Sequence, residues 1–139
     1  MMELSMRYLK LGVIFTLLTS IFAHAGERNY SQQYLQCGES ADNTDAQAEC
    51  VTAEIAVQKK RLNIAYANVV KKITPEDKTY LDKTQHEWIA WRDYNYNFLA
   101  EHVSGSFVTT RMTSLNFLLR SIFDRAVELE MISDEIGGS

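Results

Sequence analysis

One stretch of this chain, between Gly38 and Gly105, contains no glycine and a single proline, Pro75. Glycine and proline are the residues that most strongly interrupt regular structure. Apolar residues in this stretch recur at alternating steps of three and four, which places them on one face of a helix. The sequence therefore predicts an all-α fold.

A first long helix is predicted to begin at Thr44, because Thr44 and Gln47 have the spacing of a capping box. The helix is expected to end at Thr74, since Pro75 suits the first turn of a second helix. The predicted core positions of the first helix are Ala48, Val51, Ile55, Leu62, Tyr66, Val69 and Ile73.

The second helix has one unexpected residue on its core face. That face carries Leu81, Gln85, Trp88, Arg92, Asn95 or Tyr96, and Leu99. Arg92 stands where a bundle helix normally has an apolar residue. We expect it to stack on an aromatic ring and to pair with a carboxylate of another helix rather than with Asp93. A contact with a ligand is the alternative role for Arg92.

A third helix follows residues 102–109, where Ser104-Gly105-Ser106 interrupts the apolar spacing. Its predicted core positions are Val108, Met112, Leu115, Leu118 or Leu119, Ile122, Ala126 and Leu129. We expect residues 134–139 to be frayed. The predicted fold is one domain over residues 26–139, a small bundle of three long antiparallel helices with a short N-terminal helical segment.

Residues 1–25 have the features of a secretory signal peptide. Arg7 and Lys10 precede the apolar residues 11–22, and Ala23-His24-Ala25 has the form of a cleavage site. About 12 apolar residues would span only ~18 Å of a hydrocarbon layer ~30 Å thick, which is too short for an anchor. We therefore expect cleavage near Ala25, a periplasmic protein and no membrane contact after cleavage.

Export has a consequence for the two cysteines and for the charge. In an oxidising compartment, Cys37 and Cys50 are expected to form a disulfide.

Removing Arg7, Lys10 and Glu3 from 14 basic and 18 acidic residues leaves 12 and 17, a net charge of −5. An acidic chain lacks the basic surface of a nucleic-acid-binding protein, and two cysteines with two histidines beyond residue 25 offer few metal ligands. We expect no nucleic-acid partner, no cofactor, no metal site and no catalytic activity.

Several short motifs together resemble the LprI-like family of exported lysozyme inhibitors. They are Cys37 and Cys50, Leu62-Asn63-x-x-Tyr66, Gln85-x-x-Trp88-x-x-x-Arg92-Asp93 and Arg125-x-x-x-Leu129, within about residues 35–130. The resemblance implies a small all-α domain, commonly with two disulfides, that binds enzymes acting on peptidoglycan. Tyr66, Trp88 and Arg92 are expected to be structural, like the cysteines, since they lie on core faces. The second cysteine pair is absent, and aromatic residues near Tyr96 and Phe117 stand in its place.

Two loops are candidate partner-binding surfaces. In the first, Gly105 permits close backbone approach, serine hydroxyls can form hydrogen bonds, and an exposed Phe107 would be an anchor. The alternative is an ordinary turn with Phe107 folded beneath it. Its candidate residues are His102, Ser104, Gly105, Ser106 and Phe107. The second loop, residues 38–45, carries Glu39 and Asp42, for which a solvated acidic loop is the alternative.

Three aromatic residues of the second helix lie off its core face. Trp91 and Tyr94 are candidate contacts, because Trp and Tyr contribute much of the binding energy in typical interfaces. Phe98 is expected to pack on a neighbouring helix from the side.

These features predict a periplasmic immunity or inhibitor protein that occludes the active site of a peptidoglycan-targeting enzyme. The resemblance favours a type VI secreted effector, such as an L,D-transpeptidase-like toxin, and the alternative is a host or endogenous lysozyme. A haem-binding bundle using His86 or His102 with Met112 is a further alternative, although the motif Cys-x-x-Cys-His is absent. A hydrolase using His86 with Glu87, or His102 with a serine, lacks an identifiable third group.

Overall fold

The computed structural model describes residues 28–137, and within that range the chain is helical and contains no strand. The helices are α1 (Gln32–Ser40), α2 (Thr44–Val70), α3 (Pro75–Asn97) and α4 (Phe107–Gly137), with a π-helical turn at Phe98–His102 after α3. The all-α prediction, with one short and three long helices, is confirmed. The predicted signal peptide, residues 1–25, lies outside the described residues.

The starts of α2 and α3 are fixed by side-chain caps. Thr74 caps α3 as predicted, since its hydroxyl accepts a hydrogen bond from a backbone N–H at 3.1 Å, and Pro75 follows as the first helical residue. The cap of α2 is Asn43, whose amide oxygen accepts a backbone N–H at 2.9 Å. The predicted capping box of Thr44 and Gln47 is therefore wrong by one residue, because Asn is at least as good a cap as Thr.

The core lies between α2 and α4. Its buried apolar residues are Ala48, Cys50, Val51, Ile55, Leu62, Ala65, Val69, Leu119, Ile122, Phe123, Ala126 and Leu129. Most of the predicted core positions of these two helices are among them. Val108 is an exception, since it lies half-exposed in the first turn of α4.

Ion pairs show the relative direction of the two core helices. Arg111 near the start of α4 binds Asp45 at the start of α2, at 2.8 Å. Arg61 in the second half of α2 binds Glu130 in the second half of α4, at 2.6 Å. α2 and α4 therefore run parallel, and the antiparallel arrangement predicted for the long helices does not describe the pair that forms the core.

α3 is a peripheral layer that returns the chain from the end of α2 to the start of α4. None of its residues is fully buried, although its predicted core face is turned inward and half-buried. Tyr66 of α2 donates a hydrogen bond to Asp82, which Lys78 also binds at 2.6 Å. Gln85 accepts a hydrogen bond from Arg125 of α4 at 3.0 Å. Polar bonds and partial apolar contact thus hold α3 to the core pair.

The C-terminal part of α4 is more regular than the sequence indicates. The helix extends to Gly137, so the expectation of a frayed segment from Asp134 is wrong for the described residues. Lys72, just after α2, donates a hydrogen bond to the carbonyl of Ser133 at 2.6 Å. This bond fastens the end of α4 to the end of α2.

A buried carboxylate attaches the N-terminal segment to α2. Glu54 is 1% exposed and accepts hydrogen bonds from the backbone N–H and hydroxyl of Ser31 and from the Gln58 amide. Arg28 makes two bonds of 2.8 Å to Asp124 of α4. The segment preceding α1 is therefore fixed against both core helices.

The expected disulfide between Cys37 and Cys50 is present and joins α1 to α2. Within residues 28–137, no helix combines the length and apolar character needed to cross a membrane.

Loss of this disulfide is expected to reduce stability substantially. The two cysteines are 13 residues apart, and closing a loop of that size is worth about 3 kcal/mol in the chain-entropy description. Urea unfolding of the double variant Cys37→Ala/Cys50→Ala should show a free energy of unfolding lower by about that amount. An unchanged unfolding midpoint would contradict the prediction.

The attachment of α3 is expected to weaken in acid. The hydrogen bonds from Lys78 and Tyr66 lower the pKa of the Asp82 carboxyl below its ordinary value. A lowered aspartate pKa stabilises the folded state above the unfolded pKa of about 4, and this contribution is lost as the pH falls through the lowered value.

Amide hydrogen exchange can follow this loss helix by helix. As the pH falls below about 4, protection of α3 should decrease relative to protection of α2 in the same sample. The control variant Asp82→Asn should show weak α3 protection that does not vary with pH. If the protection of α3 relative to α2 stayed constant in the unmodified protein, the hydrogen bonds of Asp82 would not be what holds α3 in place.

Candidate partner-binding surface

The connection between α3 and α4 is shorter than the sequence predicts. His102 belongs to the π-helical turn and Phe107 is the first residue of α4, so only residues 103–106 connect them. The Ser106 hydroxyl accepts a hydrogen bond from the Thr109 backbone N–H at 3.2 Å and contacts the Thr109 hydroxyl at 2.9 Å. Ser106 therefore caps α4, and its hydroxyl already has partners within the chain.

Phe107 projects from the end of this connection with 78% of its surface exposed. The alternative, a turn with Phe107 folded beneath it, is thus wrong. Gly105 and Ser104 are also exposed. A Cβ atom on Gly105 would lie 3.3 Å from the Thr110 side chain, which is a tight contact. The glycine therefore lets the connection pass close to α4.

An exposed aromatic face of α3 leads to the same place. Trp91, Tyr94 and Phe98 follow one another at steps of three and four, so they lie on one face of the helix. Tyr94 is 77% exposed and Phe98 is 56% exposed. We name Tyr94, Phe98 and Phe107 the aromatic tip.

Phe98 does not pack on a neighbouring helix as expected. Its ring stacks on His102 one turn later, with centroids 6.3 Å apart. The expectation was wrong because α3 lies outside the core pair, so only its inner face has a neighbour. The signal in the sequence was the spacing of Trp91, Tyr94 and Phe98 at steps of three and four, which places Phe98 on the same outer face as Trp91.

An aromatic contact joins α3 to α4, and it involves Phe117 as expected but not Tyr96. Phe117 of α4 meets Trp91, with ring centroids 5.7 Å apart. Within residues 28–137, Tyr96 has no ring contact. Trp91 is therefore partly engaged between α3 and α4, with about half of its surface remaining exposed.

The acidic loop predicted over residues 38–45 is mostly helical. Glu39 lies in the last turn of α1, and only residues 41–43, which include Asp42, connect α1 to α2. Both acidic side chains are exposed. Because Asp45 binds Arg111 at the start of α4, this connection lies at the same end of the molecule as the aromatic tip. The fold thus brings the two candidate surfaces together.

The excess negative charge is concentrated at this end. Residues 28–137 contain 12 basic and 16 acidic residues, a net charge of 12 − 16 = −4. Five acidic residues and one basic residue at the tip end give 1 − 5 = −4, which leaves 11 of each sign elsewhere. These six residues are Glu39, Asp42, Asp45, Glu49, Glu101 and Arg111.

The motif residues of α3 have structural contacts. Arg92 lies over the Trp88 ring, 5.0 Å from its centroid, which confirms the expected stacking. Its carboxylate partner is Asp93, at 2.7 Å, and not a residue of another helix. That expectation was wrong because Arg92 lies at the edge of a peripheral helix, within reach of its own neighbour. Gln85, on the same face, binds Arg125 of α4.

The two histidines within the described residues lie on the surface. His86 and His102 are both exposed, and neither imidazole forms a hydrogen bond within the described range. In residues 28–137, no three His, Cys, Asp or Glu side chains are grouped so that they could hold a metal ion.

The comparisons with known proteins give one match. A family model described as lysozyme inhibitor LprI matches residues 37–129, which is more than half of the chain. The matched region begins at Cys37 and includes α2, α3, the aromatic tip and most of α4. No curated protein and no solved structure gives a significant match.

Proposed function

Because the chain belongs to the lysozyme inhibitor LprI family, we propose that it binds a peptidoglycan-targeting enzyme and occludes the active site of that enzyme. Family membership indicates an inhibitor with a protein partner and a non-catalytic role. We place the binding surface at the aromatic tip. The observation that supports this is that the exposed aromatic side chains project at the end of the molecule that carries the excess acidic charge.

The aromatic tip has the properties of an interface anchor. Exposed aromatic side chains often dominate binding energy when they enter a pocket of the partner. Ser106 caps α4 beside Phe107, and Gly105 keeps the connection close to the helix. A side chain presented from a fixed helix end loses little conformational freedom on binding, which favours affinity. The tip would enter the substrate cleft and exclude the polymer.

The acidic residues around the tip would act at longer range. Enzymes that work on anionic cell-wall polymers often have basic surfaces, and a net charge of −4 at the tip end would attract them. Electrostatic attraction of this kind mainly accelerates association and is screened by salt. The aromatic contacts would then determine how slowly the complex dissociates.

The target we favour is a type VI secreted effector of the L,D-transpeptidase-like class, met in the periplasm. The signal-peptide features of residues 1–25 support export. The absence of a second cysteine pair indicates divergence toward a dedicated partner, as expected for an immunity protein. A host or endogenous lysozyme is the second candidate, and the family description supports it.

Substitution of the tip is expected to weaken inhibition without unfolding the protein. Removal of an anchoring aromatic side chain costs about 2 kcal/mol, equivalent to about a 30-fold rise in Kd. A lysozyme and an L,D-transpeptidase are each titrated with the unmodified protein, and the target is the enzyme that loses activity at one equivalent. Phe107→Ala and Tyr94→Ala should inhibit that enzyme with a Kd raised by this factor.

Tyr80 offers a matched control for this experiment. It is an exposed tyrosine of the same helix, 68% accessible, near the opposite end of α3. Tyr80→Ala should inhibit like the unmodified protein. If Tyr80→Ala lost inhibition while Phe107→Ala and Tyr94→Ala kept it, the binding surface would lie elsewhere, and if neither enzyme were inhibited, the proposed targets would be wrong.

Neutralising the acidic connection is expected to slow association. In Glu39→Gln/Asp42→Asn, stopped-flow measurements at low salt should show an association rate several-fold lower with little change in dissociation, and the difference should shrink as salt shortens the screening length. Asp134→Asn/Glu135→Gln removes the same charge at the far end of α4 and should have a smaller effect. Equal effects of the two pairs would mean that overall charge, and not its position, matters.

A further inference from the structure

A cavity of about 610 Å³ lies between the N-terminal segment and α4. Ligand sites for small molecules commonly have volumes of about 300–1,000 Å³. The lining residues are Arg28, Tyr30, Tyr34, Thr113, Asn116, Leu119 and Arg120. This site is separate from the aromatic tip, because its residues come from the N-terminal segment, α1 and the middle of α4, whereas the tip lies at the end of α3 and the start of α4.

Several polar groups of the cavity have no partner in the described chain. The hydroxyls of Tyr30, Tyr34 and Thr113 and the side-chain amide of Asn116 form no hydrogen bond within residues 28–137. Burial is the main cause that raises the pKa of both tyrosine hydroxyls, so both remain protonated donors at neutral pH. The wall therefore offers three hydroxyls and an amide to a ligand.

The cavity also holds a cation without a carboxylate partner. Arg28 is neutralised by Asp124, which it binds through both carboxylate oxygens. Arg120 lies one turn before Asp124 on α4, but within residues 28–137 the ion pair of Asp124 is with Arg28 and not with Arg120. Within the described residues, the one side-chain hydrogen bond of Arg120 runs from Nε to the Asn116 carbonyl at 3.4 Å, and its charge also acts on the Tyr30 hydroxyl. The cavity thus has a net charge of +1 in an acidic protein.

The two tyrosine rings are fixed in the wall. Tyr30 contacts Tyr34 edge to face with centroids 5.2 Å apart, and it contacts the Phe123 ring at the same distance. Fixed aromatic rings, neutral hydrogen-bonding groups and one guanidinium together suit a polar ring that bears a carboxylate, since guanidinium groups bind carboxylates with strong, directed hydrogen bonds.

We propose that this cavity binds an acidic amino sugar, with its pyranose ring against Tyr30 and Tyr34 and its carboxylate on Arg120. The acetamido and hydroxyl groups of such a sugar match the amide of Asn116 and the hydroxyls of the wall. The site does not depend on the inhibitor function, because none of its residues belongs to the aromatic tip or the acidic connection.

Three small probes separate the parts of this recognition. N-acetylmuramic acid carries the acetamido sugar and the carboxylate, N-acetylglucosamine lacks the carboxylate, and lactate lacks the ring. In NMR titrations of the mature protein, N-acetylmuramic acid should shift resonances around Tyr30, Tyr34 and Asn116 and bind about tenfold or more tightly than either other probe, because a charge-assisted hydrogen bond adds to the ring contacts. Equal binding of all three, or no localised shifts, would overturn the proposal.

Substitution of Arg120 tests the charge directly. Arg120→Gln should reduce binding of N-acetylmuramic acid to the level of N-acetylglucosamine and leave the melting temperature almost unchanged, since Arg120 is exposed. Lys60→Gln removes the same charge from an exposed position of α2 and should bind like the unmodified protein. Retained preference for N-acetylmuramic acid in Arg120→Gln, or an equal loss in Lys60→Gln, would refute a carboxylate site at Arg120.

Discussion

The apolar contact between α2 and α4 determines where every other element can lie. Two consecutive core helices that run parallel require a connecting segment as long as the helices themselves, and α3 is that segment. Because the core pair already buries its apolar residues against itself, α3 can only be laid over the outside, with one face inward and one face in solvent. The exposure of the aromatic residues on the outer face of α3 follows from this arrangement of the helices. The start of α4 necessarily lies beside the start of α2, and so the aromatic tip and the acidic connection meet at one end.

The predictions that succeeded depend on local properties of the chain. Helix positions follow from apolar spacing, the start of α3 from Thr74 and Pro75, and the disulfide from there being only two cysteines in the chain. The predictions that failed depend on which helices form the core. Periodicity identifies the inward face of α3, but it carries no information on whether that helix is central or peripheral. Phe98 was therefore assigned a neighbour that the fold does not provide, and Arg92 was assigned a distant carboxylate although Asp93 is its partner.

Glu54 shows a second reason why prediction from the sequence was incomplete. An ionised carboxylate in a core is costly unless donors replace its water, and reading by apolar spacing passes over such a residue. Here the donors come from Ser31, outside α2, and from Gln58 one turn later. The carboxylate therefore specifies where the N-terminal segment docks. The cavity beside Arg120 depends on this docking, because Arg28, Tyr30 and Tyr34 line it only while the N-terminal segment remains fixed between Glu54 and Asp124.

The distribution of covalent and non-covalent links has a further consequence for binding. The single disulfide joins α1 to α2, and no second pair of cysteines exists to join α3 to α4. The Trp91–Phe117 ring contact is worth about 0.5–1.5 kcal/mol beyond burial, whereas a disulfide contributes about 3 kcal/mol. α3 is thus held to the core pair by non-covalent contacts and has no fully buried residue within the described range, and local opening is easiest for elements with few buried contacts. A partner that contacts Tyr94 on α3 and Phe98 in the turn after it, together with Phe107 on α4, would bridge the two helices. Part of its binding free energy would then be spent on holding α3 in place, so the stability of α3 and the affinity of the aromatic tip are thermodynamically linked.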